Sequence, residues 1–332
     1  MPVSQISKLV AVLTYSTRSC VCQVIEVYVM DYQHLIEQVM STTKPHVGEG
    51  KVASYIPDLA RVDPHQFGIA VATVDGEVYS SGDADVPFAI QSISKVFALA
   101  LVLERPGCGI WDRVHREPSG TPFNSLIQLE LENGIPRNPY INPGAIVVTD
   151  QLQANSGDAL LALRTLLREE TGDPDLYVDS VTAESELRTG DRNRALAYLM
   201  ASFGNMINPV ELALDHYFRQ CSISITCTQL AKAGLLVARH GLRADGTRLL
   251  ARSDARHIIA LMTTCGTYDA AGEFAYRIGL PCKSGVGGGI LAVVPDRLAV
   301  AVWGPGLDET GNSVSGAIAL EAFSREGRLS VF

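Results

Sequence analysis

Ser92-Ile93-Ser94-Lys95 runs directly into the apolar stretch Val96–Leu103, and the reading of this segment decides what kind of fold the chain forms. A serine start signal followed by eight apolar residues predicts a buried helix. Residues three apart on a helix are neighbours, so a hydroxyl and an amine share one face of its first turn. The partial positive charge at a helix start disfavours an ammonium, and Lys95 is expected to be neutral enough to accept a proton. Ser92 is then either a helix cap or a nucleophile with a lysine beside it.

The same pattern recurs in Ser41-Thr42-Thr43-Lys44, but Pro45 follows. A residue before proline is disfavoured in the helical region, so this copy is read as background. Lys283-Ser284-Gly285 gives stronger support, followed by Val286-Gly287-Gly288-Gly289 and the apolar run Ile290–Val294. A K-[ST]-G strand accompanies S-x-x-K in serine acyl-transfer enzymes of the penicillin-binding type. Taken singly the glycines mark a hairpin; glycine also lets backbone approach a ligand, so hairpin and active-site wall are compatible.

Working outward, Phe67–Val74 and Glu77–Ser81 are β-rich runs joined by Asp75-Gly76, a hairpin signal. After the Ser92 helix the pattern stays helical, around Ser125–Leu131, Gly144–Ala154, Gly157–Glu170, Arg192–Ser202, Pro209–Phe218, Ile225–Ala238 and Arg252–Thr264. Strand character returns at Phe274–Ile278, Lys283–Val286, Gly289–Val294 and Leu298–Trp303, and a last helix is expected over Ser313–Arg325. Strands, helices and strands again predict an α+β fold, with an antiparallel sheet built from both chain ends and a helical lobe inserted. The expected sheet lobe covers about 30–91 and 270–332, and the helical lobe about 92–269. Residues 1–29 are expected to be a poorly defined N-terminal extension that does not read as a secretory signal, with Asp31–Met40 the first helix. The site belongs between the lobes.

At 332 residues and 47% hydrophobic, the chain is long enough to bury a sizeable core. A net charge of −9 and no basic run argue against nucleic acid or an anionic membrane as partner. No apolar run reaches the ~20 residues that span a bilayer. Seven cysteines without C-x-x-C pairs, and seven histidines without H-x-x-x-H spacing, give no disulfide framework and no metal site. The cysteines point to a reducing compartment, so a cytoplasmic location is expected, and no metal.

With these residues in view the chain strongly resembles the serine-dependent glutaminases, L-glutamine amidohydrolases with a β-lactamase/transpeptidase-like fold. The resemblance runs from Tyr55 to the C-terminus. It is carried by Gln91-Ser92-Ile93-Ser94-Lys95-Val96, Glu117-Pro118-Ser119-Gly120 with Phe123-Asn124-Ser125, and Pro139-Tyr140-Ile141-Asn142. Ser185-Glu186 with Arg192-Asn193, Tyr217 with Gln220-Cys221-Ser222, Gly266-Thr267-Tyr268-Asp269, and Ala275-Tyr276-Arg277 through Gly289 complete it. The resemblance implies Ser92 as nucleophile and Lys95 as its partner in proton transfer, with phenols from Tyr55 and Tyr268 and the order of the bases left open. It also implies that Asn142, Glu186, Asn193 and Tyr217 bind the amino-acid end of glutamine, and that the N–H groups of Ser92 and Val286 form an oxyanion hole. No cofactor is required, and a homodimer or homotetramer is suggested.

The chemistry fits these roles, because a buried ammonium needs an anion and Glu186 supplies one. Gly190 and Asp191 are expected to interrupt the helix pattern here, placing Glu186 before a helix start and Asn193 in the first turn, where N–H groups favour a carboxylate. Three residues depart from the family pattern: Pro143, Cys282 and Ser315. Pro143 is expected to force Asn142 into an extended backbone and to remove an N–H beside the substrate. Two alternatives use the same residues. One is a β-lactam-binding acyl transferase, either a β-lactamase or a DD-peptidase; the other is a catalytically silent glutamine-binding homologue.

Overall fold

The computed structural model describes residues 6–14, 23–54, 56–120 and 124–332, the first two strands by their backbone alone. Strand β1 (Ile6–Thr14) pairs antiparallel with β2 (Gln23–Met30), a hairpin within the stretch expected to be an extension. The rest of that stretch, residues 1–5 and 15–22, lies outside the described residues. Helix α1 (Tyr32–Thr43) starts at Asp31, whose carboxylate accepts the His34 N–H at 3.0 Å. Strands β3 (Gly68–Thr73) and β4 (Val78–Gly82) are the hairpin read from Asp75-Gly76, and the two-residue β5 (Phe88–Ala89) leads to the Ser92 segment.

The helical stretch comprises α2 (Ser94–Leu103), α3 (Ile110–Arg113), α4 (Leu126–Leu131), α5 (Asn142–Ser156), α6 (Ala159–Thr171), α7 (Ser180–Thr189), α8 (Asp191–Ser202) and α9 (Val210–Cys221). Strand β6 (Ser224–Ile225) pairs with β5, and α10 (Cys227–Ala238), α11 (Arg252–Cys265) and α12 (Ala271–Arg277) follow. The chain then closes with β7 (Cys282–Ser284), β8 (Gly289–Val294), β9 (Leu298–Trp303) and α13 (Val314–Gly327). One five-stranded sheet runs β4-β3-β9-β8-β7 with every neighbour antiparallel, so strands from both ends of the chain share it.

Side chains alternate across this sheet with the period of two that a pleated strand imposes. Ile69, Val71, Ile290, Ala292, Val300 and Val302 pack with Leu35, Ile36 and Val39 of α1 and Leu320 and Phe323 of α13. Ala70, Ala72, Leu291, Val293, Ala299 and Ala301 face the opposite core, which contains α2, α5 and α10. Burial on both faces is why these strands read as continuous apolar runs. Helix α10 lies close to this face, four of whose six residues named above are alanine. A Cβ on Gly234 would stand 2.7 Å from Leu291 Cδ1 and 2.8 Å from the Ala299 methyl. Gly234→Ala should therefore cost about 1–3 kcal/mol, seen in urea as a lower midpoint at unchanged slope.

Two expectations are corrected. Phe274–Ile278, read as a strand from its aromatic and β-branched residues, belongs largely to α12. Ala271, Phe274 and Ile278 are buried while Tyr276 is 88% exposed, a three-to-four spacing that fits a helix. Arg277 pairs one turn back with Glu273 and reaches Glu321 of α13. Lys44 keeps helical backbone (φ −47°, ψ −42°) despite Pro45. Ser41 and Lys44 are nonetheless both exposed, away from any pairing that would mimic Ser92 and Lys95.

Candidate active site

Ser92 sits in a short 3-10 turn, Gln91–Ile93, that feeds α2, and is 7% exposed. Gln91 holds φ +50°, a left-handed conformation that costs energy for any residue with a Cβ. The Lys283-Ser284-Gly285 segment lies against this turn. A Cβ on Gly285 would come within 2.9 Å of the Ile90 carbonyl and 3.2 Å of the Ser92 nitrogen, so glycine is what lets the two backbones meet. The following loop is braced by Trp303, which donates from Nε1 to the Gly287 carbonyl at 2.9 Å and stacks on Phe88. Val286 thereby faces the same cleft as Ser92.

Lys95 is buried, and its amine donates to Asn142 Oδ1 at 2.8 Å and to the Tyr140 carbonyl at 3.1 Å. Burial pulls its pKa down to about 8, with the Cys221 thiol and the Glu186 carboxyl pulling the other way. Desolvation, more than the helix end invoked from sequence, is what makes this amine basic at working pH. The Ser92 hydroxyl shares a hydrogen bond with the Tyr268 phenol, whose pKa burial raises to about 12 and whose O–H also reaches the Ser284 carbonyl at 3.4 Å. Tyr268 stands at φ +57°, a second left-handed residue at the reacting centre. Lys283, fully buried, donates to the Ser284 carbonyl at 2.5 Å with its nitrogen 4.5 Å from the Tyr268 ring centre. Burial, and then the nearby Lys95, hold Lys283 well below the ordinary lysine range.

The opposite wall carries the polar residues. Asn142 Nδ2 donates to Asn193 Oδ1 at 3.0 Å, so one amide links the Lys95 amine to the first turn of α8. Glu186 Oε1 accepts from Gln91 Nε2 at 2.9 Å. Burial pushes the Glu186 carboxyl up, opposed by the Gln91 amide and by Lys95. Tyr217 is buried beside Cys221 and its phenol is held far above the ordinary range by desolvation. Ser92, Asn142, Glu186, Asn193, Tyr217, Tyr268 and Val286 all line one cleft of about 200 Å³, with Lys95 beneath it. Tyr55 lies outside the described residues, as does Phe123 of the motif blocks.

One helix was missed and one expectation fails locally. As expected, the pattern breaks at Gly190, Glu186 precedes the start of α8 and Asn193 lies in its first turn, but Glu186 itself lies within α7, whose N-cap Asp179 accepts the N–H groups of Val181 and Thr182. That cap was the available signal. It went unused because the buried stripe of α7 is Thr182, Ser185 and Glu186, which a search for apolar periodicity passes over. Asn142 is not extended: Ile141 takes the extended conformation (ψ 157°), Asn142 opens α5 and Pro143 is its second residue. A proline there removes an N–H that the helix never bonds, so the departure is structurally silent.

Residues that sequence reasoning gave no role also line the cleft, among them Gln91, Gly190, Arg192 and Cys221. Gln91 and Arg192 each stand next to an assigned residue, which was the signal available for them.

Residues 50–332 match the sequence profile of the glutaminase family. A glutaminase of Streptomyces coelicolor is 58% identical over 301 residues, which cover 91% of this chain and 98% of the relative. A glutaminase of Paraburkholderia phytofirmans is 52% identical over 304 residues, 91% of this chain and 100% of the relative. Among solved structures, the probable glutaminase ybaS superposes with TM-score 0.84 at 37% identity, covering 90% of this chain and 98% of its own. A probable glutaminase from Bacillus subtilis complexed with 6-diazo-5-oxo-L-norleucine gives TM-score 0.81 at 32% identity, covering 93% of this chain and 99% of its own.

Proposed function

We propose, for a chain that belongs to the glutaminase family and hydrolyses glutamine to glutamate and ammonia, that the reaction passes through a γ-glutamyl ester on Ser92. The observation that carries this reading is the convergence on one cleft of seven residues spread from Ser92 to Val286.

Ser92 Oγ attacks the side-chain amide carbon and its proton passes to neutral Lys95, a buried amine whose pKa desolvation lowers to about 8. The tetrahedral oxygen is assigned to the N–H groups of Ser92 and Val286, a reading supported by the close packing of Gly285, the residue before Val286, against the Ser92 turn. Two such donors contribute about 3 kcal/mol each. Tyr268, hydrogen-bonded to Ser92 and protonated at working pH, hands its proton to the departing nitrogen, and ammonia leaves. The phenolate then takes up the proton that Lys95 carries, which returns both groups to their starting states. Water then attacks the ester with Lys95 again as base, and the proton it takes passes to Ser92 Oγ as the acyl–oxygen bond breaks and glutamate leaves. Tyr55 is the second phenol of this scheme.

At the other end of the substrate, Glu186 pairs with the α-ammonium, while Asn142, Asn193 and Tyr217 hydrogen-bond the amino-acid end. The glycine-braced K-S-G strand beside the Ser92 turn supports a β-lactamase/transpeptidase-like fold, with the sheet lobe over 30–91 and 270–332 and the helical lobe over 92–269. Free thiols at Cys108, Cys221, Cys227, Cys265 and Cys282 support a reducing, cytoplasmic setting. No helix among the described residues is long and apolar enough to cross a membrane. We assign the working form to a homodimer or homotetramer, which sedimentation at assay concentration tests.

The test of the substrate reading is a panel with ammonia detection. Glutamine should be turned over, asparagine should lose at least about tenfold in kcat/KM because one methylene displaces its amide from Ser92, and a chromogenic cephalosporin should stay intact. Cephalosporin opening without ammonia release from glutamine would favour the β-lactam alternative.

A further inference from the structure

The charges of the cleft carry an assignment that goes beyond the roles above. Among the described residues, its lining holds one anionic side chain, Glu186, and one cationic side chain, Arg192. Lys95 lies beneath the lining and is the proton acceptor, so it is not free to serve as a permanent cation. Asn142, Asn193 and Tyr217 are neutral donors. A glutamine zwitterion set against these neutral groups and Glu186 alone would have its ammonium paired and its carboxylate unpaired.

The backbone around Arg192 points the same way. Helix α7 ends at Thr189 and α8 begins at Asp191, so the two helices meet at Gly190 on the cleft wall. The carboxyl end of α7, carrying Glu186, presents carbonyl oxygens and favours a cation. The start of α8, carrying Arg192 and Asn193, presents N–H groups that no side chain caps, and favours an anion. Opposite helix ends thus face the two ends of an α-amino acid. The acid in this first turn, Asp191, points its charge elsewhere and pairs with Arg194 at 3.3 Å.

Arg192 itself is exposed, and among the described residues its guanidinium makes one hydrogen bond, from Nε to the Asn124 carbonyl at 2.9 Å, and no ion pair. That bond fixes the plane of the group at the rim while leaving its terminal nitrogens for a ligand. We propose that Arg192 is a specificity-determining residue that takes the α-carboxylate of the substrate, completing with Glu186 a pair of opposite charges that selects a free amino acid over a glutaminyl residue within a peptide. This rests on the cleft being the glutamine site.

The experiment compares glutamine with its α-carboxyl N-methylamide, which keeps the side-chain amide and lacks the negative charge. The enzyme as it stands should lose about a hundredfold in kcat/KM on capping. Arg192→Gln should lose about tenfold or more on glutamine, mainly through KM, and less than about twofold on the capped substrate. Arg192→Lys should regain most of the loss, since a point charge still attracts a carboxylate. Equal losses on both substrates would make Arg192 merely a tether for the Asn124 segment, and an unchanged kcat/KM for glutamine would leave the carboxylate elsewhere; either outcome overturns the proposal. Failure of the underlying reading is separate and visible without any Arg192 variant, because the unaltered enzyme would then release no ammonia from glutamine.

Discussion

Ser92→Ala is expected to lower kcat for ammonia release by about 10⁵-fold or more, while leaving the melting temperature within a few degrees of the parent. The first half follows from covalent catalysis: without Oγ there is no ester, and the oxyanion donors act on a tetrahedral carbon that forms only by attack of water. The second half follows from the position. Ser92 lies in the 3-10 turn ahead of α2, and its hydroxyl bonds to Tyr268 instead of satisfying a helix N–H. Loss of a structural cap would appear mainly as reduced stability, about 1 kcal/mol. Circular dichroism and an ammonia assay on one preparation separate the two roles, and an alanine variant that melts early yet keeps most of its activity would return Ser92 to the status of a cap.

The second large effect concerns Lys95. With a pKa of about 8, the amine is half neutral near pH 8, and the neutral form is the base. The log of kcat/KM should therefore rise with pH below about 8 and level off above it. Lys95→Met should lower the plateau by about 10³-fold and remove the inflection, within the range general-base groups contribute. Lys95→Arg should be equally inactive, because a guanidinium keeps its charge and has no lone pair to offer. An arginine variant with substantial activity would show that the position supplies only positive charge.

Much of this was legible in the sequence, and the reasons differ by element. Strands β8 and β9 were read to the residue because both of their faces are buried and their ends are marked by glycines or by the Pro295-Asp296-Arg297 turn. The α2 run was legible because all ten residues of that helix are buried. Legibility failed where burial is polar: α7 hides Thr182, Ser185 and Glu186, and binding a charged substrate is what puts such residues inside. It failed again at Phe274–Ile278, where β-favouring side chains sit at helical spacing and tertiary packing overrides propensity.

The site was legible through its motifs more than through its geometry. Ser92 and Lys95 were found by spacing, but their working relation was not. The lysine amine is held by Asn142 and Tyr140, 47 and 45 residues away, and its basicity comes from burial, which a local pattern does not encode. Gln91 and Tyr268 show the same limit. Both adopt left-handed backbone at the reacting centre, a strain that neither residue type signals in a sequence and that the surrounding packing must hold.

The central claim is an ester between Ser92 and the side-chain carbon of glutamine. Its most direct test is labelling with 6-diazo-5-oxo-L-norleucine, which carries a reactive diazoketone where glutamine has its amide, followed by peptide mapping. The account predicts one label per chain, located on Ser92, formed with loss of dinitrogen, slowed by glutamine and abolished in Ser92→Ala. A label on Cys221 or Tyr268, or equally fast labelling of the alanine variant, would contradict it.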